Sequence, residues 1–315
     1  MEKQRLLAVV GPTASGKTSL AVSLAGRYSG EIVSCDSMQI YRGMPIGTAQ
    51  PTAEEQKRVK HHLVGFLEPG EDFSVSDYVT AASGIIDNLS SQGILPVLCG
   101  GTGLYARSLI YGADFSAESR DEELREKLQL EFQENGIECL YERLQALDAA
   151  AAEKIHINNH KRVLRALEYC IATGKRFSEQ DSGKGSDSPR YDFLMLGINY
   201  RDRETLYSRI NLRVDEMLKE GLIDEAHEFY LQGLKGTASQ AIGYKELFPY
   251  FEGKLSLEEA VENIKLGTRH YAKRQLTWFR REKNITWVYP DDFADSKAFL
   301  EHCFMLTDSS GLFGK

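Results

Sequence analysis

The chain has 315 residues, of which 42% are hydrophobic, 27% charged and 10% aromatic; this is the make-up of an ordinary folded globule and excludes a disordered, collagen-like or coiled-coil protein. At about 150 residues per domain the length corresponds to two domains, or to one large α/β unit with an insertion, and such a chain needs no disulfide or zinc staple. The net charge of −8 argues weakly against a nucleic-acid partner, but residues 116–157 hold eleven acids and five bases while 265–283 hold seven Lys or Arg against Glu282 alone, so the average hides a basic surface.

In chain order, residues 6–10 (LLAVV) read as a short buried strand. The run is too short for a secretory signal, and no later run approaches the ~18 apolar residues of a membrane helix, so a cytoplasmic protein with no membrane partner is expected. It leads into Gly11-Pro12-Thr13-Ala14-Ser15-Gly16-Lys17-Thr18, a G-x-x-x-x-G-K-[ST] loop, and then into a helix with Leu20, Leu24 and Tyr28 on one face. A strand before and a helix after are the context such a phosphate loop requires, and they disfavour a chance glycine-rich turn. Its glycines let backbone amides curl into a nest, the helix N-terminus adds positive potential and Lys17 supplies a mobile charge. Together they suit a di- or triphosphate, with the Thr18 hydroxyl available to a magnesium ion.

The next strand, 31–35 (EIVSC), ends in Asp36 at the carboxyl edge of the sheet, where α/β ligands bind. Asp36 reads as a metal ligand, a general base or a helix cap beside Ser37. His61 and His62 point to opposite sides of an extended chain with no third ligand evident, so they read as structural or polar contacts rather than a metal site. Strand 94–99 (ILPVLC), where an ATPase would place a metal-holding Asp, runs instead into Gly100-Gly101-Thr102-Gly103, and no Asn-Lys-x-Asp guanine-reading motif occurs. Gly101-x-Gly103-x-x-Ala106 with Asp121 twenty residues on fits a dinucleotide fingerprint, but no strand leads to Asp121 and the match reads as accidental.

About ninety residues without a convincing strand follow. Residues 122–132, 140–147 and 162–170 show apolar spacing of three and four, so 116–190 reads as a helical insertion in an α/β core of 1–115 plus 191–315. The polar stretch 181–189 (DSGKGSDSP) reads as a flexible connection. Strands are expected at 193–198 and 285–289, and helices over 204–234 and 257–279. Within the first of these helices Arg209 and Arg213 stand four residues apart, spaced to grip one polyanion or to form a solvated face. Over 265–283 cations interleave with His270, Tyr271, Trp278 and Phe279, a candidate RNA surface in which Trp278 and Phe279 belong to the core. Lys161, Arg162 and Arg165 form a smaller basic cluster. Cys35, Cys99, Cys139, Cys170 and Cys303 are scattered and never in a Cys-x-x-Cys pair, and read as reduced, mostly buried small hydrophobes.

GPTASGKT at 11–18, SCDSMQIYRGMPIGTAQP at 34–51, GGTGLY at 100–105, NNHKRVLRALE at 158–168, RINLRVDEML at 209–218, AIGYKEL at 241–247 and RHYAKRQLTWFRR at 269–281 together resemble the tRNA dimethylallyltransferase (tRNA isopentenyltransferase) family, in order and over nearly the whole chain. Nothing after Tyr289 suggests a zinc finger, so the short bacterial form is implied; Cys35 before Asp36 and Gln50 before Pro51 are local variations. The resemblance implies an α/β fold, a P-loop nucleotide-kinase-like parallel sheet with flanking helices and a helical insertion domain contacting tRNA. It implies transfer of a dimethylallyl group from its diphosphate to the exocyclic N6 amine of the adenosine immediately 3′ of the tRNA anticodon (adenosine 37), with magnesium as cofactor and a monomeric protein acting on the anticodon stem-loop. By the same resemblance Thr13 to Thr18, Lys17 included, hold the pyrophosphate, Arg213 stabilises it as it leaves, and Asp36 is the general base. Asp36, Ser37, Met38, Gln39, Thr102, Lys161, Arg162, Val163, Leu164 and Arg165 match positions that touch tRNA. An adenylate isopentenyltransferase or a P-loop small-molecule kinase are the alternatives, and a P-loop protein that binds RNA without catalysis is a third.

Overall fold

The structure is a computed structural model that describes residues 3–112, 121–179, 188–233 and 236–313. Its elements in order are β1 (Arg5–Val10), α1 (Lys17–Arg27), β2 (Gly30–Ser34), α2 (Ala53–Arg58), β3 (His61–His62), α3 (Val75–Ser91), β4 (Leu95–Gly100), α4 (Gly103–Tyr111), α5 (Glu122–Leu147), α6 (Ala149–Lys154), α7 (His160–Thr173), β5 (Asp192–Ile198), α8 (Arg203–Glu220), α9 (Leu222–Leu231), α10 (Phe248–Phe251), α11 (Leu257–Phe279), β6 (Ile285–Val288) and α12 (Ser296–Ser309). The chain divides into two compact units, Met1–Ile110 with Pro189–Lys315, and Tyr111–Ser188, against the 116–190 expected for the insertion.

In the larger unit a six-stranded sheet runs in the order β3-β2-β4-β1-β5-β6, every pairing parallel. β1 lies in the middle, and Leu6, Leu7, Ala8, Val9 and Val10 are all fully buried, which is why this strand reads as an unbroken apolar run rather than an alternating one. Leu7 and Val9 face a core shared with Leu20 and Leu24 of α1, Val97 of β4, and Cys303 of α12. Each such leucine contributes about 1.5–3 kcal/mol through burial. α12 lies beyond the expected elements; it is fastened to the end of α1 by an Arg27–Asp308 ion pair of 2.9 Å and a Tyr28 hydroxyl that donates to Asp308. β3 is also new. It pairs with β2, His62 Nε2 lies 2.6 Å from Glu31 Oε2 and His61 Nδ1 lies 2.8 Å from the Val59 carbonyl, so both histidines serve local contacts. A second core, with Tyr41, Met44, Leu222, Phe229 and Tyr244 at its centre, packs α8, α9 and α11 around the loop that follows β2.

The helix expected over 204–234 is two helices, because Gly221 adopts φ 107° and ends α8 before α9 begins; Leu234 lies outside the described residues. The smaller unit is helical. Gly136, at φ 78°, interrupts α5 between the two expected helices, and Leu128, Leu140, Leu144, Val163 and Leu167 form its centre. Asp148 caps α6 and also accepts from the Ser178 amide and hydroxyl, both at 2.6 Å. Of the connection expected at 181–189, residues 181–187 lie outside the described residues.

Candidate active site

The loop between β1 and α1 takes its shape from three left-handed residues, Gly11 (φ 147°), Ala14 (φ 59°) and Gly16 (φ 93°), the last of which starts α1. A side chain on Gly11 would put its Cβ 2.5 Å from the Ile198 carbonyl of β5, so glycine is needed for close approach as well as for φ. Gln275 of α11, 5% exposed, accepts from the Thr13 amide at 2.8 Å and donates to the Gly101 carbonyl at 3.0 Å. Arg209 Nε donates to the Ala14 carbonyl at 3.0 Å while its guanidinium lies 5.4 Å from the Tyr200 ring centroid. Lys17 Nζ donates to the Pro12 carbonyl at 2.6 Å. Ser15 is 2% exposed and its hydroxyl has no partner among the described residues.

Beside this loop the ends of β2 and β4 are laced together: the Cys35 amide donates to the Cys99 carbonyl at 2.7 Å, and the Thr102 amide to the Cys35 carbonyl at 3.1 Å. Gly100, Gly101 and Gly103 follow from this proximity. A Cβ on Gly100 would fall on the Cys35 backbone, one on Gly101 on the Gln275 side chain, and one on Gly103 on the Trp278 ring. The glycine motif after β4 therefore serves close packing, in keeping with its rejection as a dinucleotide fingerprint. No helix follows Asp36, which excludes the helix-cap reading; its Oδ1 accepts from the Met38 amide at 3.0 Å within a turn. Thr102 holds that turn by accepting from the Ser37 amide at 3.0 Å.

These segments enclose a cavity of about 300 Å³. Thr13, Ala14, Lys17 and Thr18 line it from the phosphate loop, Asp36, Ser37, Met38 and Gln39 from the turn after β2, and Gly47, Thr48 and Ala49 from the loop beyond. α8 contributes Ile210, Arg213, Val214 and Met217, which share one face at spacings of three and four, and α11 contributes Ile264, Thr268, Tyr271 and Gln275 in the same way. Met38, Val214, Met217, Ile242 and Ile264 belong to the second apolar core, so the cavity has an apolar side as well as a charged one.

Of the charged groups on the lining, Lys17, Asp36 and Arg213 are half-buried, whereas Lys245 and Arg274 are exposed. Burial lowers the Lys17 ammonium to about 8 despite the opposing fields of Cys99 and Asp36. Burial likewise lowers Arg213, against the attraction of Glu55 and Asp36. Asp36 keeps some accessible surface because it faces the cavity, yet it is enclosed by protein, and burial raises its carboxyl above the ordinary range against the Met38 amide bond and the nearby Lys17. Among the described residues none of the three is in an ion pair within 4 Å. Burial and Asp36 also raise the Tyr271 phenol, with a Thr102 hydrogen bond opposing, so it stays protonated.

Not every expected site residue reaches this cavity. Arg209 and Arg213 do not grip one ligand together, since Arg209 is spent on the Ala14 carbonyl and only Arg213 faces the cavity. Gly11, Pro12, Ser15 and Gly16 shape the loop without lining the cavity, and Thr102 acts behind Ser37. Val163 is fully buried in the smaller unit's core, so its side chain is not available to RNA, and Leu164 is half-buried; Lys161, Arg162 and Arg165 of the same helix are exposed. On α11, Lys265 pairs with Asp215 at 2.7 Å and Arg269 donates to Asn211 at 2.8 Å, while Lys273 and Arg274 are exposed, Arg274 also lining the cavity, and Arg280 and Arg281 follow the helix as exposed cations. Phe279 is core, as expected, and the Trp278 ring packs over Gly103. Tyr271, read only as part of a basic aromatic surface, and Gln275, not singled out in the sequence, both line the cavity. The 264, 268, 271, 275 spacing carried that signal.

Among the described residues no helix is long and apolar enough to cross a membrane. The family model described as IPP transferase matches residues 39–282, and one described as isopentenyl transferase matches residues 4–64. The tRNA dimethylallyltransferase of Acetivibrio thermocellus is 46% identical over 310 residues, 98% of this chain and 99% of that one. That of Halalkalibacterium halodurans is 45% identical over 95% of each chain. The crystal structure of the full-length tRNA isopentenylpyrophosphate transferase from Bacillus halodurans superposes with a TM-score of 0.73 at 42% identity, covering 99% of this chain and 98% of that one. A eukaryotic dimethylallyltransferase captured acting on tRNA gives a TM-score of 0.80 at 28% identity, over 97% of this chain and 79% of that one. With likeness that spans the phosphate loop, the turn at Asp36 and both cavity-lining helices, this chain belongs to the IPP transferase family.

Proposed function

We propose that this protein transfers a dimethylallyl group from dimethylallyl diphosphate to the exocyclic N6 amine of the adenosine immediately 3′ of a tRNA anticodon, adenosine 37, releasing diphosphate. The observation that carries the proposal is the cavity itself. It sets two half-buried cations, Lys17 and Arg213, and one carboxylate, Asp36, against an apolar side formed by Met38, Val214, Met217, Ile242 and Ile264.

The chemistry assigns each group a task. The N6 lone pair is delocalised into the ring and is a weak nucleophile, so alignment and leaving-group stabilisation must drive the reaction. As N6 bonds to the allylic C1, the C1–O bond breaks and its electron pair leaves with the diphosphate. Lys17 and Arg213 line the cavity where that charge develops and are partly desolvated by the surrounding protein. The N6 proton passes to Asp36, whose second carboxylate oxygen is not engaged by the Met38 amide. The adenine must leave its stack to enter, at an expense of a few kcal/mol that favours a loop over a duplex substrate. Exposed Lys273 and Arg274 of α11 offer charge to the RNA backbone, and so, on the smaller unit, do Lys161, Arg162 and Arg165 of α7.

Among the described residues no group of three acidic, His or Cys side chains could hold a metal alone. The residues fit magnesium shared with substrate: the Thr18 hydroxyl lines the cavity without a hydrogen bond among the described residues and would hold the ion jointly with the diphosphate oxygens. When bound, the ion would neutralise charge on the diphosphate.

The test is incubation with magnesium, dimethylallyl diphosphate and an unmodified anticodon stem-loop, followed by mass analysis of the RNA. One added dimethylallyl unit on the loop adenosine, abolished by Asp36→Ala, is the expected result. Prenylated AMP, or consumption of ATP, in place of modified RNA would overturn it in favour of an adenylate isopentenyltransferase or a kinase.

A further inference from the structure

Glu225, on the first turn of α9, does not line the cavity, yet its carboxylate collects three donors: the Ile46 amide at 3.0 Å, the Gly47 amide at 2.8 Å and the Tyr244 hydroxyl at 2.5 Å. Bonds to a carboxylate are roughly twice as strong as neutral ones, so this is a firm anchor for the start of the segment 45–50. Tyr244 is fully buried, and its ring occupies the place a Cβ on Gly47 would take. The far end of the segment is tied by Gln39, whose Nε2 donates to the Ala49 carbonyl at 2.8 Å, with Ala49 in the left-handed region at φ 52°.

The segment so fastened is a thin partition. Gly47, Thr48 and Ala49 face the cavity, while Pro45, Ile46 and Gln50 face a second hollow of about 500 Å³ on the other side. The partition borders open space at Pro45, Ile46 and Gln50 and is backed by the Tyr244 ring at Gly47, with the bonds to its backbone holding it between the two. Ile46 packs with Met38, Val214 and Met217 in one apolar cluster, which places the partition beside the apolar side of the cavity.

We infer that Glu225 and Tyr244 are positioning residues that fix this wall and thereby restrict the prenyl donor to a short allylic chain. The inference rests on the prenyl-transfer reading above and adds to it the residues that set donor length. A hydrophobic pocket discriminates by roughly 10–200-fold per methylene, but only as far as its wall resists displacement.

The experiment compares kcat/KM for dimethylallyl diphosphate and for the ten-carbon geranyl diphosphate, with the same stem-loop, in the wild-type protein, Glu225→Gln and Tyr244→Phe. Tyr244→Phe keeps the ring behind Gly47 and loses only the hydrogen bond, so it preserves the core. The ten-carbon to five-carbon ratio is expected to rise about tenfold or more in Glu225→Gln and by less in Tyr244→Phe. A merely structural role would lower both donors together and leave the ratio unchanged, and that result would overturn the inference even if both variants melted earlier. If the wild-type protein transferred neither group, the reading of function would fall, an outcome distinct from an unchanged ratio in active variants.

Discussion

Gln275→Met tests whether one buried amide sets the geometry of the phosphate loop. The side chains are close in length, so the change removes two hydrogen bonds with little change in volume. It strands the Thr13 amide, now bonded at 2.8 Å, and the Gly101 carbonyl, now bonded at 3.0 Å, at a site that is 5% exposed. At about 1–2 kcal/mol for each unsatisfied group the loss is about 2–4 kcal/mol. For a unit of this size that lowers Tm by roughly 5–15 °C. Because Thr13 lines the cavity, KM for the prenyl diphosphate rises as well. Gln275→Glu adds a signature of its own: its oxygens can still accept from Thr13, but an ionised carboxylate faces the Gly101 carbonyl with no proton to donate. Burial raises that carboxyl in the folded protein, so its stabilising contribution is present below the unfolded value of about 4.3 and is lost as pH rises through the folded one. The Tm deficit of Gln275→Glu against wild type therefore shrinks on acidification, whereas that of Gln275→Met does not. Calorimetric or fluorescence melting between pH 4 and 8, with steady-state kinetics at neutral pH, measures both. A Gln275→Met protein that melts within a degree of wild type and keeps its donor KM would refute the bridging role.

Asp36→Asn is expected to lower single-turnover transfer by about 10²–10⁴-fold while leaving donor binding within a few fold, as for loss of a general base. Arg213→Gln is expected to lower the same rate by about 10²–10³-fold, whereas Arg209→Gln acts through the loop and raises donor KM first. Raising pH through about 8 discharges Lys17 in the free protein, so kcat/KM for the donor falls above that value, and Lys17→Arg moves this limb to higher pH. The linked stability runs the other way: the depressed ammonium contributes most above its unfolded value near 10.4, and that contribution is lost as pH falls toward about 8. Lys161→Glu and Arg162→Glu together weaken binding of the stem-loop and flatten its salt dependence, by about one unit of slope for each phosphate no longer neutralised, and filter binding at several salt concentrations reads this directly.

What could be read in advance was what the chain encodes locally. β1, the phosphate loop and α1 announce themselves through an apolar run, spaced glycines and a helical stripe, and Asp36 stands out because an acid closes a strand. The two-residue β3 carries no periodicity at all, and α12 has a mixed surface whose apolar side matters only because α1 lies beneath it. Roles that depend on distant partners are illegible for the same reason. Arg209 has the spacing of half an anion clamp, but its guanidinium serves Ala14, and Gln275 is in the sequence one polar residue among several. Val163 sits in a basic string, yet helical geometry turns it inward while its neighbours Lys161 and Arg162 face out. Glu225 resembles any acid on a first helical turn, and nothing in its surroundings in the chain names Ile46 or Gly47 as its partners.

The phosphate loop alone would allow a kinase, and the packing at the end of β4 bears on that alternative. A P-loop phosphotransferase holds its metal with an acid near the end of a neighbouring strand. Here that place is Gly100, where any side chain would collide with the Cys35 backbone, because the Cys35 and Thr102 amides draw the ends of β2 and β4 together. Among the described residues lining the cavity the only carboxylate is Asp36, two residues beyond the end of β2. One of its oxygens is committed to the Met38 amide, and burial raises its affinity for a proton. A carboxylate so placed is suited to take a proton from an incoming amine, with the cations of Lys17 and Arg213 left for the phosphates. The two hydrogen bonds that leave no room for a side chain at Gly100 thus also fix the backbone next to Asp36, whose side chain lines the cavity.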